Sequence, residues 1–214
     1  YLSLALFPAG FATSWYLSEF AAADYAAAQE AGISVYDYLT MQVAALGSKP
    51  TDVFFMPHFV GACNPYNDVR STGTIIGITP HTTRHKLYKA IYEGIACEFK
   101  TVTSVLDTHA GHFSQVRING GGGKAHFSLE LRAALAGKTM LQLQCDEAGC
   151  LGAAMLAGLA SGVYASEADA AKQAVHVIDR VEPNMELAAS YAEFYKAYSS
   201  IYPALEPLRV YHAR

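Results

Sequence analysis

The tightest constraint on this chain is a run of four glycines at positions 120–123, between a predicted strand and a predicted helix. Residues 114–118 have the pattern of a short buried strand, and Phe127, Leu131 and Leu135 then recur at helical spacing. Because glycine has no Cβ, a ligand can lie against bare backbone there, and unpaired N–H groups at a helix start favour an anion. A tight turn without a ligand would also use glycine, but four glycines at such a junction favour ligand binding.

Two common nucleotide-binding motifs fit this loop poorly. A phosphate-binding G-x-x-x-x-G-K-[ST] loop would need glycine where Ile118 stands and Ser or Thr where Ala125 stands. The dinucleotide pattern G-x-G-x-x-G/A can be threaded through Gly120, Gly122 and Ala125, with Asp146 as a late acidic partner. That acid normally follows about 20 residues on, within a βαβ unit. A dinucleotide-dependent oxidoreductase domain therefore stays open as the weaker alternative.

Composition narrows the class of protein. A chain of 214 residues with 52% hydrophobic content can bury a large core and form one domain. Charged residues make up 16% and the net charge is −4, so there is no electrostatic footprint for nucleic acid. The apolar stretches at 1–7 and 153–160 are too short for a bilayer, and no signal peptide is visible. We expect a cytoplasmic protein that binds neither nucleic acid nor membrane.

The cysteines and histidines do not predict a metal site. The eight histidines are scattered and form no H-E-x-x-H motif. The cysteines show no C-x-x-C spacing, so we interpret them as free thiols in a reducing compartment. They stand at Cys63, Cys97, Cys145 and Cys150.

Helical and strand patterns alternate along the rest of the chain, which predicts an α/β architecture. The strongest helix begins near Thr82-Thr83 and carries apolar residues at helical spacing from Leu87 to Leu106. A helical C-terminus bears an aromatic stripe that is interpreted as core packing. The remaining predicted strands lie at 1–7, 53–56, 74–78 and 141–144. The remaining predicted helices lie at 12–31, 35–46 and around 151–159, and Ala9-Gly10 separates the first strand from the first helix.

Four stretches, in this order and spacing, resemble the FGGY family of carbohydrate kinases. The first looks like the family's glycine-containing turn followed by a tryptophan, and the second like its P-x-x-x-G-x-x-x-P motif. The third is similar to its second signature, and the fourth joins the glycine run to its E-x-x-x-x-G-A-A motif. They are residues 9–15 (AGFATSW), 55–65 (FMPHFVGACNP), 73–78 with 87–96 (GTIIGI and LYKAIYEGIA), and 147–154 (EAGCLGAA).

The resemblance implies that residues 1–214 are the C-terminal, nucleotide-binding domain of a two-domain kinase. The implied fold is ribonuclease H-like, as in actin-like ATPases, with a mixed sheet flanked by helices. ATP with Mg²⁺ would lie in the cleft between this domain and its own N-terminal kinase domain. The acceptor would be a sugar or polyol hydroxyl, with a ketopentose favoured, and a homodimer is left open. An actin-like ATPase or regulatory nucleotide-binding module without sugar transfer is the alternative.

The resemblance also implies which residues bind the nucleotide. Gly10 would lie near the β- and γ-phosphates, and the polyglycine turn would pack against adenosine. Ser14 stands where related glycerol kinases carry Gln, and Ala125 where they carry an adenine-contacting Asn, so one side-chain hydrogen bond is lost. The full set is Gly10, Ser14, Gly120, Gly121, Gly122, Gly123 and Ala125, of which Gly121 and Gly122 would line the adenosine site.

Several positions depart from the family pattern. Cys63 and Thr72 stand where family members often carry Arg, which implies an unusual substrate specificity. Lys86 replaces an acidic or amide residue, and Gly149 replaces Thr or Ser. Glu93 and Glu147 could suggest catalysis, but both belong to helical segments, where structural hydrogen bonding is favoured.

No catalytic residue is predicted within the chain. It starts at Tyr1 and runs directly into an apolar segment, so we expect a piece of a longer protein, cut within a folded unit. The resemblance places the catalytic Asp and the first phosphate and Mg²⁺ contacts upstream of Tyr1. Phosphoryl transfer depends on such a base and metal, together with positioning. The chain is therefore expected to supply the nucleotide platform alone.

Overall fold

The computed structural model describes residues 9–120 and 125–212. The predicted strand at 1–7 and the glycines Gly121, Gly122 and Gly123 lie outside the described residues. The helices within that part are α1 (Ala9–Phe20), α2 (Ala22–Ala31), α3 (Val35–Ala45), α4 (Arg84–Ala110), α5 (His126–Ala136), α6 (Ala148–Ala160), α7 (Glu167–Ala174), α8 (Met185–Ser190), α9 (Ala192–Ala204) and α10 (Glu206–His212). The strands are β1 (Phe54–Met56), β2 (Thr74–Ile76), β3 (Gln115–Ile118), β4 (Thr139–Leu143) and β5 (Val177–Val181).

The described strands form two small sheets. β1 and β2 pair antiparallel, with Phe55 opposite Ile75. In the second sheet, β3 runs parallel to β4 with Val116 opposite Met140, and β5 joins the other side of β4 antiparallel. α5 forms the crossover between the parallel pair, which is the connection that parallel strands require. The predicted mixed sheet flanked by helices is confirmed.

α4 is the central element of the core. Its apolar positions recur at helical spacing, and Leu87, Ile91 and Ile95 are all buried. Thr83 caps the helix by accepting a hydrogen bond from the Lys86 backbone N–H at 3.2 Å, as the Thr82-Thr83 signal predicts. Around α4 pack α1, α3, α5, α9 and β1. This one helix therefore fixes where the surrounding elements lie.

The predicted helix at 12–31 is wrong as a single element. It divides at Ala21, which is fully buried in the core and has φ −94° and ψ 12°, so α1 and α2 meet there at a bend. The first helix also begins at Ala9, earlier than the predicted start at residue 12, because Ala9 and Gly10 belong to the first turn of α1. Alanine favours helix everywhere in this stretch, so tertiary packing at Ala21 decides where the helix stops.

Three other predictions need correction. β3 is not a buried strand: its side chains alternate between exposed and half-buried, since it ends the order β3-β4-β5 of the described sheet. The predicted C-terminal helix is divided into α8, α9 and α10. α7 and β5 are additional elements that the hydrophobic pattern missed, because α7 buries only Ala170 and β5 only Val181.

Candidate nucleotide-binding site

α1 presents two of the predicted site residues on its surface. Gly10 lies exposed in the first turn, and an added Cβ there would meet no atom of the described residues within 4 Å. The Thr13 hydroxyl donates to the Gly10 carbonyl at 3.0 Å, and Ser14 lies exposed one turn after Gly10. Packing within the described residues therefore gives no reason for glycine at position 10.

Ser14 lines a surface cavity of about 450 Å³ between α1 and the α2–α3 pair. Tyr25 and Tyr36 line the same cavity, and each side chain is about half exposed. Exposed tyrosine rings beside serine hydroxyls suit a flat, polar ligand, since the rings provide apolar contact and the hydroxyls hydrogen bonds. The remaining lining residues are Leu17, Ser18 and Ala22.

Gly120 and Ala125 flank the part of the glycine run that lies outside the described residues. Gly120 follows β3 with φ +74°, a left-handed conformation that favours glycine. Ala125 is half-buried at the N-cap of α5 and makes no side-chain capping bond, whereas Ser34 caps α3 in that way. The junction thus combines a glycine required by its backbone with a helix start that lacks a side-chain cap.

A ladder of aromatic rings joins the two segments that carry the predicted site. The ring of Tyr16 on α1 lies 4.9 Å from that of Tyr88, Tyr88 lies 5.1 Å from Tyr92, and Tyr92 lies 4.7 Å from Phe127 on α5. Tyr16 and Phe127 are each two residues from a predicted site residue, Ser14 and Ala125 respectively. The ladder holds both segments against one face of α4.

Sequence reasoning missed this ladder, although one signal for it was present. Tyr88 and Tyr92 are four residues apart on a helix, so their side chains must be neighbours. Their hydroxyls lie 3.1 Å apart, and the Tyr16 hydroxyl donates to the Arg84 carbonyl at 2.9 Å. Burial raises the pKa of Tyr88 well above its usual range, so its hydroxyl stays protonated and serves as a structural group.

Glu93 has the structural role that was expected of it. It is fully buried, accepts hydrogen bonds from the Thr51 backbone N–H at 3.1 Å and the Tyr191 hydroxyl at 2.7 Å, and lies 3.8 Å from the Lys89 ammonium. Burial raises the pKa of Glu93, while these hydrogen bonds oppose the shift. Glu147 occupies the N-cap position of α6 without a side-chain capping bond. Glu93 therefore belongs to the core of the domain.

Residues 9–120 and 125–212 contain neither a cluster of metal ligands nor a membrane-spanning helix. No group of three His, Cys, Asp or Glu side chains in that part is arranged to hold a metal ion. None of its helices combines the length and apolar character needed to cross a membrane. The four cysteines are all free thiols.

Solved structures identify the fold class. A xylulose kinase from Lactobacillus acidophilus superposes with a TM-score of 0.74 at 23% identity, covering 92% of this chain and 38% of that one. Plasmodium falciparum glycerol kinase with ADP superposes with a TM-score of 0.70 at 21% identity, covering 90% and 37%. The chain has the ribonuclease H-like fold of actin-like ATPases, as expected.

The chain belongs to the FGGY family of carbohydrate kinases. The model of that family's C-terminal domain matches residues 6–161. Glycerol kinase from Pseudothermotoga lettingae is 36% identical over 135 residues, which is 63% of this chain and 27% of the relative. The match thus spans about a quarter of the relative's length. Family membership favours the kinase interpretation over the dinucleotide-dependent oxidoreductase.

Proposed function

We propose that residues 1–214 form the C-terminal, nucleotide-binding domain of an ATP-dependent carbohydrate kinase. The observation that carries this proposal is the aromatic ladder, which holds α1 and the start of α5 against the same face of α4. Those are the two segments in which the family resemblance locates the nucleotide. In this proposal Gly10 on α1 offers its exposed backbone to the nucleotide, and the glycine run before α5 contacts the same nucleotide from another side.

In this proposal the nucleotide is ATP. Gly10 approaches the β- and γ-phosphates, since its backbone is open and it lies in the first turn of a helix, where N–H groups face outward. Gly120, Gly121, Gly122 and Gly123 form the turn that packs on adenosine. Ser14 offers a hydroxyl from the cavity that it shares with Tyr25 and Tyr36, and Ala125 contributes apolar contact only.

Mg²⁺ completes the proposed site by neutralising the phosphate oxygens during transfer. The described residues offer no cluster of ligands for it. We therefore assign its protein contacts, together with the catalytic base, to the protein's own N-terminal kinase domain. The chain itself binds and orients the nucleotide and closes one side of the cleft against water.

The proposed acceptor is a hydroxyl of a sugar or polyol, with a ketopentose favoured. The solved xylulose kinase supports a ketopentose, whereas the curated relatives named glycerol kinase support a polyol. Steady-state assays of the full-length protein against ketopentoses, aldonates and glycerol, coupled to ADP release, test this choice. A preferred acceptor is expected; ATP hydrolysis that no acceptor accelerates would instead support an actin-like ATPase or regulatory module.

The site assignment has a sharp test at Gly10. In the full-length protein, Gly10→Val adds a side chain where the described fold has open space, so the protein should stay folded. If phosphate lies against that backbone, the displacement costs about 1–3 kcal/mol, or roughly 5- to 150-fold in affinity. Calorimetric titration with a non-hydrolysable ATP analogue measures it, with Gly149→Val on α6 as the matched control, where an added Cβ is also unobstructed. Unchanged affinity in a folded Gly10→Val protein would remove α1 from the site.

A further inference from the structure

The two C-terminal helices reach the long loop between β1 and β2, here called loop 57–72. Tyr202 on α9 donates its hydroxyl to the Asp68 carboxylate at 3.0 Å. Its ring stacks on that of Tyr66, with centroids 3.8 Å apart and planes inclined by 21°. Both α9 and α10 lie beyond the residues that the family model matches. A part of the chain outside the family pattern is thus in contact with a loop inside it.

Arg209 on α10 strengthens the same contact. Its Nε lies 3.2 Å from Asp68 Oδ2, an ion pair in which both side chains are more than nine-tenths buried. The Arg209 guanidinium also lies 3.9 Å above the Tyr202 ring and bonds to the Tyr202 carbonyl and to Glu206. Salt screens such a buried ion pair only weakly. The pair therefore holds α10 and Asp68 together more firmly than an exposed ion pair would.

Asp68 is the residue through which this contact acts on the loop. Its carboxylate accepts two hydrogen bonds from Arg70, at 2.8 and 2.9 Å, which hold the pKa of Asp68 well below its usual range. Its backbone exchanges hydrogen bonds with Ala62 at 2.8 and 3.0 Å, closing the loop on itself. Holding Asp68 therefore holds both sides of the loop together.

A second set of contacts fixes the base of the loop to the core. The His58 ring lies between the Ser71 hydroxyl, at 2.8 Å from Nδ1, and the Glu98 carboxylate, at 3.4 Å from Nε2. Tyr198 on α9 donates to the same Glu98 at 2.8 Å. The loop is thus attached at its base to α4 and at its middle to α9 and α10.

Phe59 connects the loop to α1. Its ring centroid lies 5.5 Å from that of Phe11 and 5.1 Å from that of Trp15. These residues are the immediate neighbours of Gly10 and Ser14 in sequence. The tyrosine ladder anchors α1 at Tyr16, and the Phe59 ring adds contacts at the residues next to Gly10 and Ser14.

We propose that Tyr202 and Arg209 are positioning residues for the nucleotide site, acting through Asp68 and Phe59 on the first turn of α1. Greater mobility of loop 57–72 would leave the chemical step unchanged. It would reduce the fraction of protein in which Gly10 and Ser14 are in the conformation that binds the nucleotide. Apparent affinity falls by that fraction, whereas the rate at saturation does not. This inference rests on the proposed assignment of α1 to the nucleotide.

The test compares two tyrosine variants of the full-length enzyme. Tyr202→Phe keeps the ring stack but removes the hydroxyl that bonds to Asp68. Tyr195→Phe is the control: it removes a hydroxyl from the same helix, but that hydroxyl contacts Thr101 and not the loop. We expect Tyr202→Phe to raise KM for MgATP and Kd for MgADP about five- to tenfold, with kcat within about twofold. Tyr195→Phe should change neither. Arg209→Met should act like Tyr202→Phe, and Arg209→Lys, which keeps the charge, should recover part of the loss.

A double-mutant cycle tests the route through Phe59. If the effect of Tyr202 on the first turn of α1 is transmitted through the Phe59 ring, Tyr202→Phe should not change MgADP affinity further in a protein that already carries Phe59→Leu. Full additivity would overturn the route, and an unchanged Kd in folded Tyr202→Phe would overturn the positioning role. Failure of the proposed function is recognised separately: without a nucleotide site the unmodified protein would bind no MgADP, and without sugar transfer no acceptor would accelerate ADP release.

Discussion

Glycine performs two different tasks in this chain, and only the structure separates them. A Cβ on Gly94 of α4 would collide with the carbonyl oxygen of Phe55, so this glycine lets α4 approach β1. Gly77 has φ +93°, and a Cβ there would also collide with the carbonyl oxygen of Asp52. A Cβ on Gly10, in contrast, would meet no described residue outside its own helix within 4 Å. Gly94 and Gly77 are thus required by the close packing of neighbouring backbone, whereas Gly10 on α1 is available for contact with a ligand.

Gly94→Ala should destabilise the full-length protein by about 1–3 kcal/mol, since α4 and β1 must move apart. Gly149→Ala in α6 is the matched control, because the added methyl group would meet no described residue outside its own helix within 4 Å. That control should be neutral or stabilising by up to about 1 kcal/mol. Urea unfolding measures both. Equal midpoints for the two variants would contradict the close approach of α4 to β1.

Asp107 provides a pH-dependent contribution to stability. The Lys138 ammonium donates to both Asp107 oxygens at 2.8 Å, and this bond holds the pKa of Asp107 below its usual range. A carboxyl whose pKa is lowered by folding stabilises fully above its unfolded pKa, near about 4, and loses that contribution as the pH falls through its folded pKa.

We therefore expect the unfolding midpoint of Asp107→Asn to fall less steeply than that of the unmodified protein below about pH 4. At pH 7 the variant should be less stable, because Lys138 is almost fully buried and would lose its counter-charge. Differential scanning calorimetry from pH 7 to pH 2 measures both effects. The pKa of Asp68 is also lowered, and Asp68 is unchanged in this variant, so part of the loss of stability with falling pH remains. Parallel acid profiles would contradict the pairing of Asp107 with Lys138.

At the scale of elements, α4 organises the domain through polar as well as apolar contacts. Lys89 donates to the carbonyls of Gly47 and Lys49, at 2.7 and 2.6 Å, and so holds the segment that follows α3. One turn later, Glu93 holds Thr51 and Tyr191. Buried polar groups that are all hydrogen-bonded specify one arrangement of their neighbours, because any other arrangement leaves them unpaired.

Glu93→Gln separates a structural from a catalytic role. The amide keeps the shape but removes the negative charge that faces Lys89, so the free energy of unfolding should fall by about 1–3 kcal/mol. Because no ligand contact is assigned to Glu93, kcat and MgADP affinity of the folded full-length variant should stay within about twofold. Chemical denaturation and steady-state kinetics measure the two quantities. A loss of kcat by orders of magnitude without a loss of stability would place Glu93 in the active site.

At the scale of the molecule, the chain corresponds to a fraction of its relatives. The matched region covers 27% of the Pseudothermotoga lettingae glycerol kinase and 32% of a Bacillus anthracis glycerol kinase. Phosphoryl transfer is catalysed mainly by positioning, metal ions and a base at one site. In the proposed function the chain supplies the nucleotide platform alone, which has too few of these components to transfer phosphate.

The 214-residue chain by itself should show no measurable sugar phosphorylation and at most weak ADP binding, whereas the full-length protein should turn over a preferred acceptor. A coupled ADP-release assay measures turnover, and circular dichroism with calorimetry establishes that the isolated chain is folded. A rate comparable with that of the intact protein would mean that a base lies within the chain. Glu93, Asp68 and Glu147 would then be the candidates for substitution.

The sequence by itself determined the family and the type of most elements, with α7 and β5 as the exceptions. Helical spacing from Leu87 onwards, the Thr83 cap and the strand-to-helix junction at the glycine run are local patterns, and the structure has all three. Local patterns are readable because the residues that produce them are neighbours in the chain. The four family stretches likewise depend only on order and spacing.

Tertiary structure alone decided the bend at Ala21, the tyrosine ladder and the attachment of Arg209 to Asp68. Each depends on contacts between residues far apart in the chain: Tyr16 meets Tyr88, and Asp68 meets Tyr202, 134 positions later. Hydrophobic periodicity states that a side chain is buried but does not state against which partner. The partner is chosen by the packing of whole elements around α4, and that choice places the two candidate segments on one face.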